Sequence, residues 1–507
     1  MGKMKIKKLN PKFKSVAIIL AGGKGKRIKS EIPKVLHSLW GIPSVVRVCD
    51  AAEKGLGSPN RVVVVGMKAQ EVMNLVGSQP TTIFAYQKIQ KGTGHALQVA
   101  VSKIKNMPDA TNVYVFPGDT GLLDPLVVKK FKSEFEKSSS AAMMLTGQYE
   151  GPIELNMYGR IVRIPSVDGR GERSGGDYLK VAEIVQAKDV LKMQNSDVHK
   201  VVYNKKIYNF TKQQLRETRE FDSGFFAFRL GLLKKYLRAL RSNNVQHELY
   251  MTDMVKILND SGYKVESYSI KNDSKDLGYQ PGYSLLGFNS RSELKKMESI
   301  LRAKYFELLK DVLAIDNEED FFIDSEVIKQ ILRLDRTGLP VDITIGEGCS
   351  ISKNVKINRG VTIGKRAVLD GNVIIGKRVK IGENVQLSTY PGQKLIIGDD
   401  TKILNSNIIK GNVKIGKNVE VETGVIITGS NEYPVVIGDN CILKGTTYIF
   451  GSIIEPGNWV QHSVLVKKYV QRLRNKSKEA QKVRYILPHP EGRDSIVSIT
   501  QRNNKKS

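Results

Sequence analysis

An aliphatic residue followed by glycine recurs through the last third of the chain, and this repeat constrains the fold more than any other feature. Four of the six intervals between successive pairs are multiples of six residues. A hexapeptide period is typical of a parallel β-helix, in which one aliphatic residue per hexad stacks on its neighbours inside. We expect a left-handed β-helix over 341–466, with a loop around Ser388–Lys394 where an interval of 16 breaks the period. The pairs are Ile345-Gly346, Ile363-Gly364, Ile375-Gly376, Ile381-Gly382, Ile397-Gly398, Ile415-Gly416 and Ile437-Gly438.

The first 291 residues have a different pattern, in which apolar runs alternate with segments of helical spacing. Ser15–Leu20, Arg61–Val65 and Asn112–Phe116 are runs typical of strands buried on both faces. Ala69–Leu75 and Ala96–Ile104 have helical spacing. The pattern predicts an α/β Rossmann-like domain over 15–291, with a parallel sheet whose ligands bind at the carboxyl ends of the strands. Residues 292–340 are expected to form a helical connector.

Charge and cysteine content limit the possible classes of protein. The net charge is +29, and the excess is clearest at the two ends, which we predict to be basic tails at 1–14 and 467–507. No nucleic-acid-binding motif lies between them, so we favour solvated tails over nucleic-acid binding; a basic surface also attracts anionic sugar phosphates. No apolar run is long enough for a membrane span. Three scattered cysteines exclude a disulfide framework and favour a cytoplasmic protein. The cysteines are Cys49, Cys349 and Cys441.

A glycine-rich segment, Leu20–Arg27, follows the first predicted strand directly, and Pro33-Lys34 comes shortly after it. Glycines let the backbone approach a ligand closely and turn its N–H groups toward phosphate oxygens. The segment is not a Walker A loop, because Arg27 stands where Ser or Thr is required. Nor does it fit the dinucleotide-binding pattern, because Ile28 fills the last glycine position. Because Arg27 and Lys34 add positive charge beside these glycines, we predict a triphosphate site of a different kind.

The string L-A-G-G-K-G-K-R-I followed by I-P-K-V-L-H resembles the opening of the sugar-1-phosphate nucleotidyltransferases, most closely the N-acetylglucosamine-1-phosphate uridyltransferases. The resemblance implies that Arg27 and Lys34 act on the triphosphate as catalytic residues. It also implies that the beginning of the glycine-rich segment holds the nucleotide. The residues concerned are Leu20, Ala21, Gly22 and Gly23.

A second string, Q-K-I-Q-K-G-T-G-H-A from Gln87 to Ala96, is similar to the uracil-binding segment of those uridyltransferases. A planar amide suits a pyrimidine edge, because it offers both a donor and an acceptor. The resemblance assigns base recognition to Gln87, Gly92 and Thr93. We interpret His95 as structural, because the sugar phosphate is already ionised and needs no protein base.

A metal site is predicted from two short strings. Asp119 follows a strand and a glycine, and a carboxylate there suits a hard Mg²⁺ ion that also contacts phosphates. In the resembling family the second ligand is an asparagine in a G-x-N-x-R string. This chain has Gly287-Phe-Asn-Ser-Arg291, so the resemblance implies that Asp119 and Asn289 hold Mg²⁺.

The sugar pocket is implied by the same resemblance, with two departures. Gly118, Gly159, Gln186 and Asp222 match positions that face the sugar. The family usually has Glu and Asn where this chain has Gln186 and Asp222. The exchange keeps side-chain size but alters the donor and acceptor pattern. The sugar is therefore either N-acetylglucosamine in a rearranged network or another hexose.

These features predict Mg²⁺-dependent transfer of a nucleotidyl group from UTP to N-acetylglucosamine-1-phosphate. Three alternatives stay open: another sugar or nucleoside triphosphate, a non-catalytic regulatory subunit of the same architecture, and nucleic-acid binding through the basic tails. Many relatives also acetylate glucosamine-1-phosphate in the β-helix with a histidine base. No histidine lies between Ile343 and Ile449, so we expect no acetyltransferase activity here. The β-helix is expected to form a homotrimer.

Overall fold

The protein consists of two compact units, each described by itself. In the computed structural model the described residues are 8–23, 25–77, 79–270, 281–473 and 482–486. The first unit spans Met1–Leu301 and the second Arg302–Ser507. Lys24 and most of the two predicted basic tails lie outside the described residues. The domain boundaries given above stay predictions.

The first unit alternates strands with helices, as expected for an α/β fold. Its elements are β1 (Ser15–Ala21), β2 (Ser38–Leu39), β3 (Ile42–Pro43), α1 (Ser44–Leu56), β4 (Arg61–Val65), α2 (Ala69–Val76), β5 (Thr82–Tyr86), α3 (Thr93–Lys103), β6 (Asn112–Pro117), α4 (Pro125–Lys137), β7 (Ala142–Gln148), β8 (Arg160–Arg163), β9 (Val181–Val185), α5 (Ala187–Lys192), β10 (Val198–Tyr203), β11 (Lys206–Thr211), α6 (Lys212–Glu217), β12 (Glu220–Arg229), α7 (Leu230–Tyr236), α8 (Asp253–Asp260), β13 (Val265–Ser269) and α9 (Arg291–Leu309), the last of which crosses the boundary between the units.

The central sheet of the first unit is mixed rather than parallel. Its strands follow the order β13-β7-β12-β6-β1-β4-β5. β6, β1, β4 and β5 run parallel, whereas β12 runs antiparallel to both β6 and β7. The expectation of a parallel sheet is therefore wrong at β12. The apolar runs read from the sequence, in β1, β4 and β6, do lie in the parallel part of the sheet, whereas β12, which is not among those runs, reverses direction.

The core of this unit has an apolar layer on each face of the sheet. Ile18 and Ile19 of β1 are both 0% exposed and belong to opposite layers. Leu97 of α3 lies in the layer with Ile18, and Val48 of α1 lies in the layer with Ile19. Because four neighbouring strands are parallel, their carboxyl ends meet at one edge, and the loops that follow them begin there.

The second unit holds short strands that repeat along the chain. Its described residues also include one further helix, α10 (Ser325–Asp335). The strands are β14 (Ala314–Ile315), β15 (Phe321–Ile323), β16 (Thr344–Ile345), β17 (Cys349–Ile351), β18 (Thr362–Ile363), β19 (Val368–Asp370), β20 (Val373–Ile375), β21 (Lys380–Ile381), β22 (Gln386–Ser388), β23 (Leu395–Ile397), β24 (Lys402–Ile403), β25 (Ile408–Gly411), β26 (Val413–Ile415), β27 (Glu420–Val421), β28 (Val425–Gly429), β29 (Val435–Ile437), β30 (Ile442–Lys444), β31 (Thr447–Phe450), β32 (Ile453–Ile454), β33 (Trp459–Gln461), β34 (Val464–Val466), β35 (Tyr469–Val470) and β36 (Lys482–Val483).

These strands stack into three parallel sheets and form the predicted left-handed β-helix. The sheets run β14-β16-β18-β21-β24-β27-β30-β33-β36, β15-β17-β19-β22-β25-β28-β31-β34 and β20-β23-β26-β29-β32-β35. Ile345, Ile363 and Ile381 are in register in the first sheet, 18 residues apart, so one coil holds three hexads. Ile381 then pairs with Ile403, because the predicted loop after Ser388 adds residues to that coil. The predicted helical connector also contains β14 and β15, which pair with β16 and β17.

The corner glycines of the β-helix are required because the coils approach closely. A Cβ on Gly376 would lie 2.5 Å from Oδ1 of Asp399 in the next coil. That oxygen accepts a hydrogen bond from the Lys377 amide at 2.8 Å, which ties the two coils together. A larger residue would therefore break a contact between successive coils. Among the described residues, no helix combines the length and the apolar character that crossing a membrane would require.

Candidate functional site

A cleft of about 1310 Å³ opens in the first unit at the edge where the parallel strands end. Its walls are formed by the loops after β1, β4, β5 and β6, and by residues near α5 and α8. Of the residues predicted from sequence, those that line the cleft are Leu20, Gly22, Gly23, Arg27, Lys34, Gln87, Gly92, Thr93, Asp119, Gln186, Asp222 and Asn289. The fold thus brings together residues up to 269 positions apart in the chain.

Three predicted site residues are not part of the cleft wall. Ala21 is 1% exposed and belongs to the apolar layer of α1. Gly118 is buried, and its amide donates to the Leu20 carbonyl at 3.0 Å, which joins the ends of β1 and β6. Gly159 is buried behind Gln186 and Asp222. The direct binding roles implied for these three residues stay predictions.

Four side chains that line the cleft form a cluster, which we call the cationic centre. Two are cations and two present oxygen atoms to them: Arg27, Lys34, Asp119 and Asn289. The ammonium Nζ of Lys34 forms an ion pair with Oδ2 of Asp119 and donates to Oδ1 of Asn289 at 2.8 Å. Nη2 of Arg27 donates to the same Asn289 oxygen at 2.9 Å. The side chains of Lys34 and Asp119 are only 14% and 20% exposed. Charge is therefore concentrated at a point partly shielded from water.

The glycine-rich segment places Lys34 in this centre. Gly25 has φ of 59°, in the left-handed region that favours glycine. A Cβ at this position would lie 2.6 Å from the Cβ of Lys34. The backbone of the loop therefore lies directly against Lys34, and a short 3-10 turn at Lys26–Ile28 then carries Arg27. Both the left-handed backbone conformation and the lack of room for a Cβ require glycine at residue 25.

The donor set at Asp119 and Asn289 fits a hard divalent cation. A carboxylate oxygen and an amide oxygen converge on one nitrogen, the Nζ of Lys34, which already carries a positive charge. Such oxygens are the ligands that Mg²⁺ prefers, and two protein ligands are typical where phosphates and water complete the shell. A Cβ on Gly287 would lie 3.3 Å from the Asp119 carboxylate, so the segment before Asn289 packs directly against the carboxylate.

The second predicted string forms one end of the cleft. Gln87 is 4% exposed, and its Nε2 lies 3.3 Å from the Gly92 carbonyl and 3.1 Å from Nδ1 of His95. His95 therefore contacts the residue expected to recognise the base, as a structural residue would. Gln90 is not among the site residues predicted from sequence, yet its Nε2 donates to the Gly22 carbonyl at 2.5 Å. This contact joins the two strings. The two residues are 68 positions apart in the chain, and no motif spacing predicts a contact over that separation.

Thr93, which is predicted to bind the base, also makes a hydrogen bond within the protein. Its hydroxyl oxygen accepts a hydrogen bond from the Met251 amide at 3.1 Å. The neighbouring Gly94 amide donates to the Leu249 carbonyl at 2.7 Å. These bonds attach the segment before α8, which also lines the cleft, to the second predicted string. Part of the Thr93 hydrogen-bonding capacity is thus used inside the protein.

Gln186 and Asp222 lie side by side in the wall of the cleft. Both side chains pack against Gly159, and Nε2 of Gln186 donates to the Thr252 hydroxyl at 3.3 Å. Oδ1 of Asp222 accepts from the Gly224 amide at 2.8 Å. Burial raises the pKa of Asp222 to about 6, although the amide hydrogen bond opposes this shift. The carboxyl group therefore changes its charge close to neutral pH.

Asp222→Asn is expected to stabilise the protein more at pH 7.5 than at pH 4.5. A carboxyl whose pKa is raised on folding stabilises the native state below its unfolded pKa, near 4, and loses that contribution as pH rises through about 6. Asparagine avoids this loss and keeps the acceptor for the Gly224 amide. We expect a gain in Tm of roughly 2–6 °C at pH 7.5, measured by calorimetry. Asp109→Asn, on the exposed surface, is the control; an equal gain at both pH values would contradict the prediction.

Comparisons with known proteins identify the families of the two parts of the chain. The model of a MobA-like NTP transferase domain matches residues 17–209, and that of the bacterial transferase hexapeptide (six repeats) matches 354–389. The chain is similar to Bifunctional protein GlmU of Thermoanaerobacter pseudethanolicus, with 30% identity over 363 residues and 67% of each chain covered.

Two further relatives of the same name align less completely. The protein of Carboxydothermus hydrogenoformans is 29% identical, with 67% of this chain and 65% of the relative covered. That of Caldicellulosiruptor saccharolyticus is 31% identical, with 60% and 56% covered. The chain thus spans about two thirds, or less, of the length of the relatives that it matches.

Proposed function

The chain belongs to the GlmU family of sugar-1-phosphate nucleotidyltransferases, and on that premise we propose that it transfers a nucleotidyl group from UTP to N-acetylglucosamine-1-phosphate. The products are UDP-N-acetylglucosamine and pyrophosphate. One observation carries the proposal: Arg27, Lys34, Asp119 and Asn289 converge beside the glycine-rich segment, at the carboxyl edge of the sheet. Two cations, a carboxylate and an amide oxygen together in an open cleft are suited to neutralising the charge of reacting phosphates.

The chemistry requires positioning and charge neutralisation more than proton transfer. An oxygen of the sugar phosphate attacks the α-phosphorus of UTP in line. The new P–O bond forms as the bond to the β-phosphate oxygen breaks, and pyrophosphate leaves with the electron pair. Arg27 and Lys34 would stabilise the negative charge that develops on the transferring and leaving groups. Because the attacking oxygen is already ionised, no residue of the cleft need act as a base.

Asp119 and Asn289 are the proposed ligands of a divalent cation, Mg²⁺. When bound, the ion supplies positive charge to the phosphate oxygens. Asp119 and Asn289 contribute by keeping their oxygens on the same point in the cleft. The close packing of Gly287 against the Asp119 carboxylate, which leaves little room for a Cβ, supports this pairing.

Base and sugar would bind to different parts of the cleft wall. Gln87 would pair with the uracil edge, oriented by its contacts with Gly92 and His95. Gln186 and Asp222 would bind the sugar; because Thr252 accepts from the amide nitrogen of Gln186, the amide oxygen would be the group offered to the ligand. At neutral pH an ionised Asp222 favours the donor groups of a sugar, such as hydroxyls or an acetamido N–H.

Pyrophosphate release by the purified full-length protein tests this proposal. UTP with N-acetylglucosamine-1-phosphate is compared with glucose- and mannose-1-phosphate and with dTTP, GTP and ATP, all with Mg²⁺. The fastest release is expected for the first pair. A different best pair would change the assigned sugar or base, and no release with any pair would favour a regulatory subunit.

We also propose that the β-helix assembles three copies of this chain. One sheet of the β-helix has an outward row of apolar side chains in register, interrupted once by Gln386, which we call the outer ladder: Val368, Ile408, Ile426 and Tyr448. They are 37–40% exposed, which is unusual for large apolar residues stacked in one row. In a ring of three copies, each copy contacts the next through two different patches, and a ladder that runs along the three-fold axis meets its two counterparts there. The absence of acetyltransferase activity in this unit stays a prediction.

Ile426→Asp is expected to convert the trimer into a monomer, because a carboxylate would be buried without a partner in the outer ladder. Light scattering should give three times the 56.5 kDa of one chain for the natural protein and 56.5 kDa for the variant. Lys402→Asp, on the outer face of another sheet, is the matched control and should stay trimeric. A monomeric natural protein, or a trimeric Ile426→Asp variant, would contradict the proposal.

A further inference from the structure

The ammonium group of Lys34 lies where the two proposed metal ligands converge. Its Nζ forms an ion pair with Oδ2 of Asp119 and donates to Oδ1 of Asn289 at 2.8 Å. The ring centroid of Phe288 lies 5.7 Å from Nζ, within the range of a cation–π contact. Two oxygens and an aromatic ring thus surround the lysine cation.

A divalent cation and this ammonium group cannot share the position. A metal ion bound to both oxygens would lie about 2.1 Å from each, inside the volume that Nζ now fills. Two like charges at such a separation repel strongly in a partly buried site. The side chain of Lys34 must therefore move before the two oxygens can bind one metal ion.

We infer that Lys34 is a built-in competitor of the metal ion, which holds Asp119 and Asn289 together until a triphosphate draws its ammonium group away. The inference rests on the proposed function, because it takes Asp119 and Asn289 as the ligands. The backbone of Lys34 is packed against Gly25, so the movement is confined to the flexible side chain. Phosphate oxygens of the nucleotide provide the new partner for the ammonium group.

This exchange couples two binding events. Metal ion alone must displace Lys34 from a carboxylate and gains no new partner for the lysine, so it binds weakly. With the triphosphate present, the lysine moves to the phosphates and both oxygens become free. By linkage, the metal ion strengthens triphosphate binding by the same factor as the triphosphate strengthens metal binding.

Binding of Mn²⁺ alone, without nucleotide, tests the inference on the full-length protein. Lys34→Met removes the charge and keeps an unbranched side chain, and we expect it to bind Mn²⁺ at least tenfold more tightly than the natural protein in calorimetric titration. Lys34→Gln, a second neutral variant, should show the same direction if the methionine variant does not fold. Lys88→Met is the matched control, because Lys88 lines the same cleft and carries the same charge; its Mn²⁺ affinity should change less than twofold.

The outcomes separate this inference from the proposed function. Unchanged or weaker Mn²⁺ binding by both Lys34 variants would overturn the inference, even if the natural protein forms the nucleotide sugar. Tighter binding that persists when Asp119→Ala is added to Lys34→Met would also overturn it, since the ion would then use other ligands. Tighter binding that is lost in the double variant supports the inference, whether or not a substrate pair is found.

Discussion

Asp119→Ala is expected to lower the kcat of nucleotidyl transfer by about a thousandfold, the upper range for loss of one electrostatic contact to the reacting groups. Asp119 is the one carboxylate of the cationic centre and the proposed metal ligand. Its removal leaves Lys34 without its ion-pair partner and Asn289 as the single protein oxygen at the point of convergence. The variant therefore loses the proposed site for the metal ion, and with it the positive charge that the ion would supply to the phosphates.

The fold should tolerate this change, which makes the kinetic result interpretable. The ion pair is mostly buried but lines the cleft, and Lys34 keeps its hydrogen bond to Asn289, so the loss should cost roughly 3 kcal/mol of unfolding free energy, measured by calorimetry. Asp109→Ala removes another aspartate of the same unit, whose Oδ1 pairs with Lys234 at 2.7 Å, and serves as the control with normal activity. A folded Asp119→Ala variant with activity within tenfold of the natural protein would refute the role of Asp119.

Gly25→Ala is expected to reduce kcat/KM by about a hundredfold, the effect of misplacing a reacting contact by about 1 Å. The added methyl group would lie 2.6 Å from the Cβ of Lys34, closer than two non-bonded carbons can approach, so the loop and Lys34 must separate. Alanine also disfavours the φ of 59° at this residue. Steady-state kinetics with varied UTP should show the loss.

Gly57→Ala distinguishes the clash with Lys34 from general backbone strain. Gly57 ends α1 with the same φ of 59°, but a methyl group added there would have no atom of the described residues within 4 Å, and Gly57 is outside the cleft. This variant should lose stability by roughly 1–2 kcal/mol and keep its activity. Equal activity losses in the two variants, or full activity in Gly25→Ala, would show that the approach of Gly25 to Lys34 is unimportant.

The features that sequence alone could predict are local ones. The hexapeptide period, which recurs in successive coils, predicts the β-helix. The register of Ile345, Ile363 and Ile381 agrees with that period. Strand β1 and the glycine-rich segment adjoin in the chain, so their order fixes their relation in space. Such signals depend only on neighbours in sequence.

What the sequence could not predict depends on contacts between distant residues. The antiparallel direction of β12, the bond from Gln90 to Gly22 and the bond from Met251 to Thr93 each join separate segments. Asn289 can be linked to Asp119 only through family resemblance, because 170 residues separate the two. No periodicity or motif spacing reports such pairings.

The most direct test of the central claim is to measure both products in one reaction. The full-length protein is incubated with Mg²⁺, UTP and N-acetylglucosamine-1-phosphate, and the nucleotide sugar is identified by mass while pyrophosphate is quantified. We predict equimolar UDP-N-acetylglucosamine and pyrophosphate from the natural protein and neither from Arg27→Ala. Pyrophosphate without the nucleotide sugar, or equal product from the Arg27→Ala variant, would contradict the account.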